Sequence, residues 1–326
     1  MNRPALNRVA HAFACRDVVM QSKRTVMMTV VGALVVGLMC GASDPPPAFT
    51  PVRVWEANAA ELEVCLGQQQ ALLPDPARRL ALWAAASVGQ PHAEHGPADE
   101  RREAEGGAIA IGVSRCDGRK FVEQACALAL ARDRASAGTI LQLIRYRDGV
   151  VSLETRNYHL LGDWARNNAW VFEDVTRQLA GGMAWIPSHR VLRRAEYLRS
   201  RHGLNVTVPD EKVLDAFVPR VYLYKVLDEL RDGDLAVFIA GNDREQRGAD
   251  VGIIRRDADG DLTLVHAAPP AVSEEPLMGE SSFTARHKEI IGYKFLRLRS
   301  DASERARARC QRLATADTAE PPKPRE

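Results

Sequence analysis

Cys116-Asp117-Gly118-Arg119-Lys120-Phe121-Val122-Glu123 is the stretch on which the reading of this chain turns. Asp117 is an N-cap residue type. Behind it Phe121, Ala125, Leu128 and Val122, Cys126, Ala129 recur at helical spacing. The stretch therefore opens a strong helix. Its first helical position holds Gly118, which carries no reactive group, and Cys116 stands two residues upstream.

Working outward, a helix is expected from about Val54 to Leu73, stopped by Pro74. Asp75-Pro76 starts another, with Leu80, Trp83 and Ala84 on one stripe. Residues 90–115 are small and polar and read as a long loop. Downstream, Ser136 caps a helix with Ile140, Leu143 and Ile144, and Asp148-Gly149 turns into a short strand, Val150–Leu153. From there on strands dominate: Arg220–Tyr224, Asp234–Ala240, Asp250–Arg255, Leu262–His266 and Ile290–Leu298. Helices first and an antiparallel sheet second make an α+β domain over residues 54–300. The charged, Ala- and Pro-rich tail, 301–326, is expected to be disordered.

Residues 1–43 read as a leader. Lys23 and Arg24 precede an apolar run, Val26–Met39, followed by Gly41-Ala42-Ser43. Three forms stay open: cleavage after Ala42, a lipoprotein-type anchor on Cys40, and a signal anchor. Met20 is the more natural start, which makes residues 1–19 an extension. Residues 44–53 are a Pro-rich linker. Each form exports the domain to the bacterial periplasm or holds it at the envelope membrane through the leader or a lipid alone. Net charge is +2, with cations spread among acids, so nucleic acid is not an expected partner. Outside the leader remain Cys65, Cys116, Cys126 and Cys310, which allow three pairings. No CxxC pair occurs, and neither a metal nor a cofactor is expected.

Several short motifs follow one another in a fixed order. They are Gly89-Gln90-Pro91, Phe121-Val122-Glu123, Ile144–Gly149, Arg156-Asn157-Tyr158-His159, Asp163-Trp164, Leu230–Asp234, Val251-Gly252-Ile253 and Val265-His266-Ala267. Over residues 76–299 this series resembles the N-acetylmuramoyl-L-alanine amidase-like family of bacterial exported proteins, placed with the NlpC-type, papain-like cysteine peptidases. The resemblance implies a papain-like fold, N-terminal helices packed on an antiparallel sheet, and peptidoglycan or muropeptide fragments as ligand. It also implies a cysteine at a helix N-terminus, made a thiolate by the helix dipole and a neighbouring His, and an orienting residue on the next strand. Carried over, the nucleophile position falls on Gly118, the base on Asp250 and the orienter on His266.

The two replacements at chemically essential places lead to the expectation of a catalytically degenerate protein that binds cell-wall fragments, or an envelope protein partner, without cutting. A second reading is an active amidase or endopeptidase with Cys116 as nucleophile, His266 as base and Asp250 as orienter. A third is a non-catalytic envelope scaffold. Beside these stand plainer roles: Cys116 as a loop thiol or disulfide partner, Cys126 as core, and Asp250 with His266 as a buried ion pair. A metal on Cys116, Asp250 and His266 has ligand types without supporting spacing. The cluster Arg156, His159, Asp163 with Trp164 is too polar for a core unless paired; it is either a cleft wall that contacts ligand or a structural network, with Trp164 inclined to the core.

Overall fold

The computed structural model describes residues 49–107, 109–181, 186–241 and 246–318. The leader, Cys40 and the first part of the linker lie outside the described residues. The chain divides into Met1–Pro45 and Pro46–Glu326, and all described residues belong to the second unit. Among them no helix is long and apolar enough to cross a membrane.

Five helices come first: α1 (Ala59–Leu72), α2 (Pro76–Ala86), α3 (Pro97–Ala104), α4 (Gly118–Leu130) and α5 (Arg134–Arg145). Asp75 caps α2 through Ala77 N at 2.9 Å, with Pro76 at the first position as the sequence indicates. Asp117 caps α4 through Lys120 N at 2.8 Å. Helix α5 starts earlier than expected. Asp133 is its cap, accepting from Ser136 N at 2.7 Å, and Ser136 Oγ accepts from Asp133 N to close a capping box. The stretch 90–115 is not one loop, because α3 lies within it. Val150–Leu153 forms no strand.

A tight turn at Leu160–Trp164 runs into the single turn α6 (Ala165–Asn167), then β1 (Phe172–Asp174), α7 (Thr176–Ala180), β2 (Ile186–Leu192), α8 (Arg194–His202) and β3 (Glu211–Pro219). Arg220–Tyr224, expected as a strand, lies in a 3-10 turn, Arg220–Lys225, that follows β3. The remaining elements are β4 (Leu235–Gly241), β5 (Gln246–Arg256), β6 (Leu262–Ala268), β7 (Ala271–Pro276), α9 (Phe283–Arg286), β8 (Ile290–Leu298) and α10 (Ala302–Thr318). The tail is therefore helical over Ala302–Thr318, where disorder is expected. Ala302 and Ala306 are fully buried, and Leu313 rests on Gly149.

The sheet is antiparallel, in the order β2-β3-β8-β4-β5-β6-β7, with β1 beside β8. Strand β4 has cores on both faces, which is why it reads as a continuous apolar run. Leu235, Val237 and Ile239 face the helical side with Phe121, Val122 and Trp83, while Ala236 and Phe238 face Leu223, Phe283 and Tyr293. Helix α4 is buried nearly all round. Each of its large apolar side chains contributes about 1.5–3 kcal/mol by burial. The Arg231–Asp234 turn needs its glycine: at Gly233, φ is 81°, and a Cβ would lie 2.4 Å from the Ala77 carbonyl. Asp234 then takes both arms of Arg297 at 2.7 Å each, so this motif serves the fold.

Candidate active site

The α4 N-terminus sits between the sheet and the segment that precedes it. Gly89 N donates to Val272 O at 2.9 Å, and Val272 N returns to Gln90 O at 2.8 Å. Ala93 N donates to Cys116 O at 3.1 Å, and Cys116 N to Pro91 O at 3.2 Å. The Gly-Gln-Pro motif thus ties the chain just before α4 to the start of β7.

From the other side comes β5. The β4–β5 register shifts between Phe238, opposite Asp250, and Ile239, opposite Gly248, so one extra residue bulges out next to Asp250. A bulge bends a strand and re-aims the side chain beside it. Here the carboxylate of Asp250 is laid onto the opening of α4. A Cβ built on Gly118 would lie 1.9 Å from its Oδ1 and 2.7 Å from its Oδ2. Real Cβ atoms do not approach oxygens so closely. The carboxylate therefore occupies the space of a side chain at 118, and Gly118 and Asp250 are joined in one packing contact. Asp250 Oδ1 also accepts from Val251 N at 2.8 Å. Burial, reinforced by the nearby charge of Asp117, raises the Asp250 pKa to about 7 against the opposing pull of Val251 N–H and Arg119.

Cys116 is fully buried and unbridged. Burial first, then the charges of Asp117 and Asp250, pushes its thiol up to about 12. A nucleophilic cysteine needs the reverse environment. Cys65, Cys126 and Cys310 are also free thiols, so none of the three pairings forms. Cys126 is core, as its helical face indicates.

His266 on β6 is oriented by a different carboxylate. Its Nε2 lies 2.6 Å from Glu275 Oε1 and 3.3 Å from Ser273 Oγ, both on β7. Its ring packs on Phe283 at 4.8 Å. Burial, then the positive charges of His287 and Arg286, lowers its pKa to about 4. Glu275 is itself paired with Arg286. A neutral ring with its proton on Nε2 donates to Glu275. The structure brings Asp250 to Cys116 and Asp117 and does not pair it with His266. Among the described residues no group of three or more His, Cys, Asp or Glu is arranged to hold a metal.

The polar cluster divides. Arg156 and Trp164 are sealed in: Arg156 bonds Glu103 at 2.6 Å, and Trp164 Nε1 donates to Glu123 Oε1 at 3.0 Å. His159 and Asp163 border a cavity shared with Arg147 and Arg194. The sequence reading missed the partners of Arg156. Glu100 and Glu103, one turn apart on α3, plug into Arg119, Arg145, Arg156, Arg201 and His202. The signal was there in Gly96-Pro97 as a helix start and in two acids spaced i, i+3. His95, with Nδ1 3.7 Å from Asp117 Oδ2, was missed as well.

The family model of N-acetylmuramoyl-L-alanine amidase-like proteins matches residues 87–282. The chain belongs to that family. A solved structure of an N-acetylmuramoyl-L-alanine amidase from Bacteroides uniformis is similar at 20% identity and a TM-score of 0.54, over 69% of this chain and 99% of that one. Protein LPG0564 from Legionella pneumophila is similar at 15% identity and a TM-score of 0.59, over 74% and 97%. At these identities the likeness is one of fold. No curated protein matches. The amidase-like match spans the α4 opening, β5, β6 and the Gly-Gln-Pro segment, which are the elements that build the site.

Proposed function

We propose that this amidase-like protein is exported, has a papain-like scaffold, and binds peptidoglycan fragments without hydrolysing them. One observation carries the reading: the Asp250 carboxylate fills the space that a nucleophilic side chain at 118 would need. Acyl transfer from an amide needs an ionised nucleophile within reach of a base. Burial pushes the Cys116 thiol up to about 12, which keeps it in the un-ionised form at pH 7, and the side chain is buried. The ligand class follows from family membership.

The test is incubation of the purified protein with peptidoglycan sacculi, with co-sedimentation for binding and mass spectrometry of the supernatant for release. Binding without released peptides is expected. Release that disappears in Cys116→Ala would overturn the proposal in favour of an active enzyme. Neither binding nor release would leave an envelope scaffold. Gly118→Cys combined with Asp250→His returns a thiol to the helix opening and an imidazole beside it; peptide release by this double variant alone supports the alignment of the two positions.

A further inference from the structure

Behind the Leu160–Asn167 turn lies a cavity of about 100 Å³, bordered by Arg147, His159, Asp163, Arg166, Arg194 and Glu211, with further lining residues. Its charges do not balance. Asp163 is saturated: it accepts from His159 N at 2.7 Å and Tyr158 N at 3.3 Å and is ion-paired with Arg194. Arg194 also donates to Arg156 O at 2.7 Å. Arg166 pairs with Glu211 at 3.0 Å on the exposed rim. Three arginines thus face two carboxylates, and the surplus belongs to Arg147, an exposed residue whose side chain has no hydrogen bond or ion pair among the described residues.

A second group is met only at a distance. His159 Nδ1 is buried without a hydrogen-bond partner, 3.7 Å from an Asp163 oxygen that is already engaged. Buried polar atoms without partners are uncommon, and each calls for an account. Arg147 is set by an unusual backbone: Asp148, next to it, is left-handed at φ 54°, the only described non-glycine residue with positive φ. The cavity has room for several water molecules, and so for one carboxylate group.

We propose that this cavity binds a carboxylate, with the Arg147 guanidinium as its charge partner and His159 Nδ1–H as the directional donor. The ligand class is a peptide with a free carboxylate; that part rests on the cell-wall reading above, while the carboxylate site rests on the cavity alone. A free small acid presents the same chemistry and serves as the control.

The experiment uses the full chain and three probes: a muropeptide with free peptide carboxylates, the same muropeptide with its carboxylates amidated, and acetate alone followed by NMR. Arg147→Ala removes a side chain that holds nothing else in place, so its circular dichroism should match the parent. It is expected to bind the free-carboxylate muropeptide about tenfold or more weakly, the size of one lost charge-assisted contact. Arg147→Lys should recover part of the loss, and amidation should weaken the parent to the level of the alanine variant. Equal affinities for both muropeptides, or for parent and Arg147→Ala, overturn the site and leave the cell-wall reading intact. Acetate bound by the parent and not by Arg147→Ala, with no muropeptide bound by either, keeps the site and overturns the cell-wall ligand. No binding of any probe overturns both.

Discussion

Replacing Gly118 by alanine puts a carbon where the Asp250 carboxylate lies, and neither the helix opening nor the bulged strand can yield freely. Gly118→Ala is expected to cost about 1–3 kcal/mol, the range for overpacking. In an Asp250→Ala background most of that cost should vanish, a coupling of about 1–2 kcal/mol measured by chemical denaturation of the four-member cycle. Additive costs would mean that the carboxylate is not over Gly118. The acid itself gives a pH signature. Its folded pKa of about 7 lies above the ordinary 3.8, so the fold favours the neutral form. The penalty is absent below pH 3.8, and stability is lost as pH rises through about 7. Asp250→Asn keeps an oxygen for Val251 N–H and cannot ionise. It should be more stable than the parent at pH 8 by about 2 kcal/mol, after discounting for partial exposure, and no more stable at pH 4.

At the scale of elements, α3 is held by charge rather than by apolar packing. Its buried residues are Glu100 and Glu103. Glu103→Gln leaves Arg145 and Arg156 under-neutralised inside the protein, and breaking one side of a buried ion network costs about 3–5 kcal/mol. Faster limited proteolysis between Pro97 and Gly107 should report the loss before global unfolding does. The same network predicts an acid limit. Burial works to raise the Glu123 pKa, but Arg145, Arg119 and Arg156 prevail and hold it below the ordinary 4.5. Its contribution is present above pH 4.5 and is lost as pH falls through the lower folded value, so amide exchange in α4 and α5 should quicken there first. These elements also mark what the sequence could and could not tell. Helices α2 and α4 and strand β8 were legible because caps and apolar spacing agree. Helix α3 was not, because its packing partners are carboxylates, which hydropathy scores as solvent-facing. Strand β3 alternates weakly and only its last four residues are buried, so the apolar turn after it, Arg220–Lys225, looked more strand-like than the strand.

Across the whole molecule, α10 closes the helical layer. Ending the chain after Ser300 exposes the surfaces of α4 and α5 that Ala302 and Ala306 cover and takes Leu313 off Gly149. A loss of about 2–4 kcal/mol is expected from the denaturation midpoint, with native-like circular dichroism retained at low denaturant. A tail free in solution would leave the midpoint unchanged. Average composition hid this helix, since its few buried positions are small and spaced among arginines. The sequence could point to positions and not to geometry. Cys116 and Asp250 stand next to motifs of the series and His266 lies within one, yet only the folded chain shows the carboxylate over Gly118, the thiol sealed away and the imidazole turned to Glu275. The contact between residues 118 and 250 also imposes an order on change. A side chain gained first at 118 collides with the carboxylate. A change first at 250 to a smaller residue leaves a void above a helix end, which a later side chain at 118 can fill. A chain that is to carry a side chain at 118 therefore has to give up the carboxylate first, so the order of the two changes, and not only their sum, decides whether the intermediate folds.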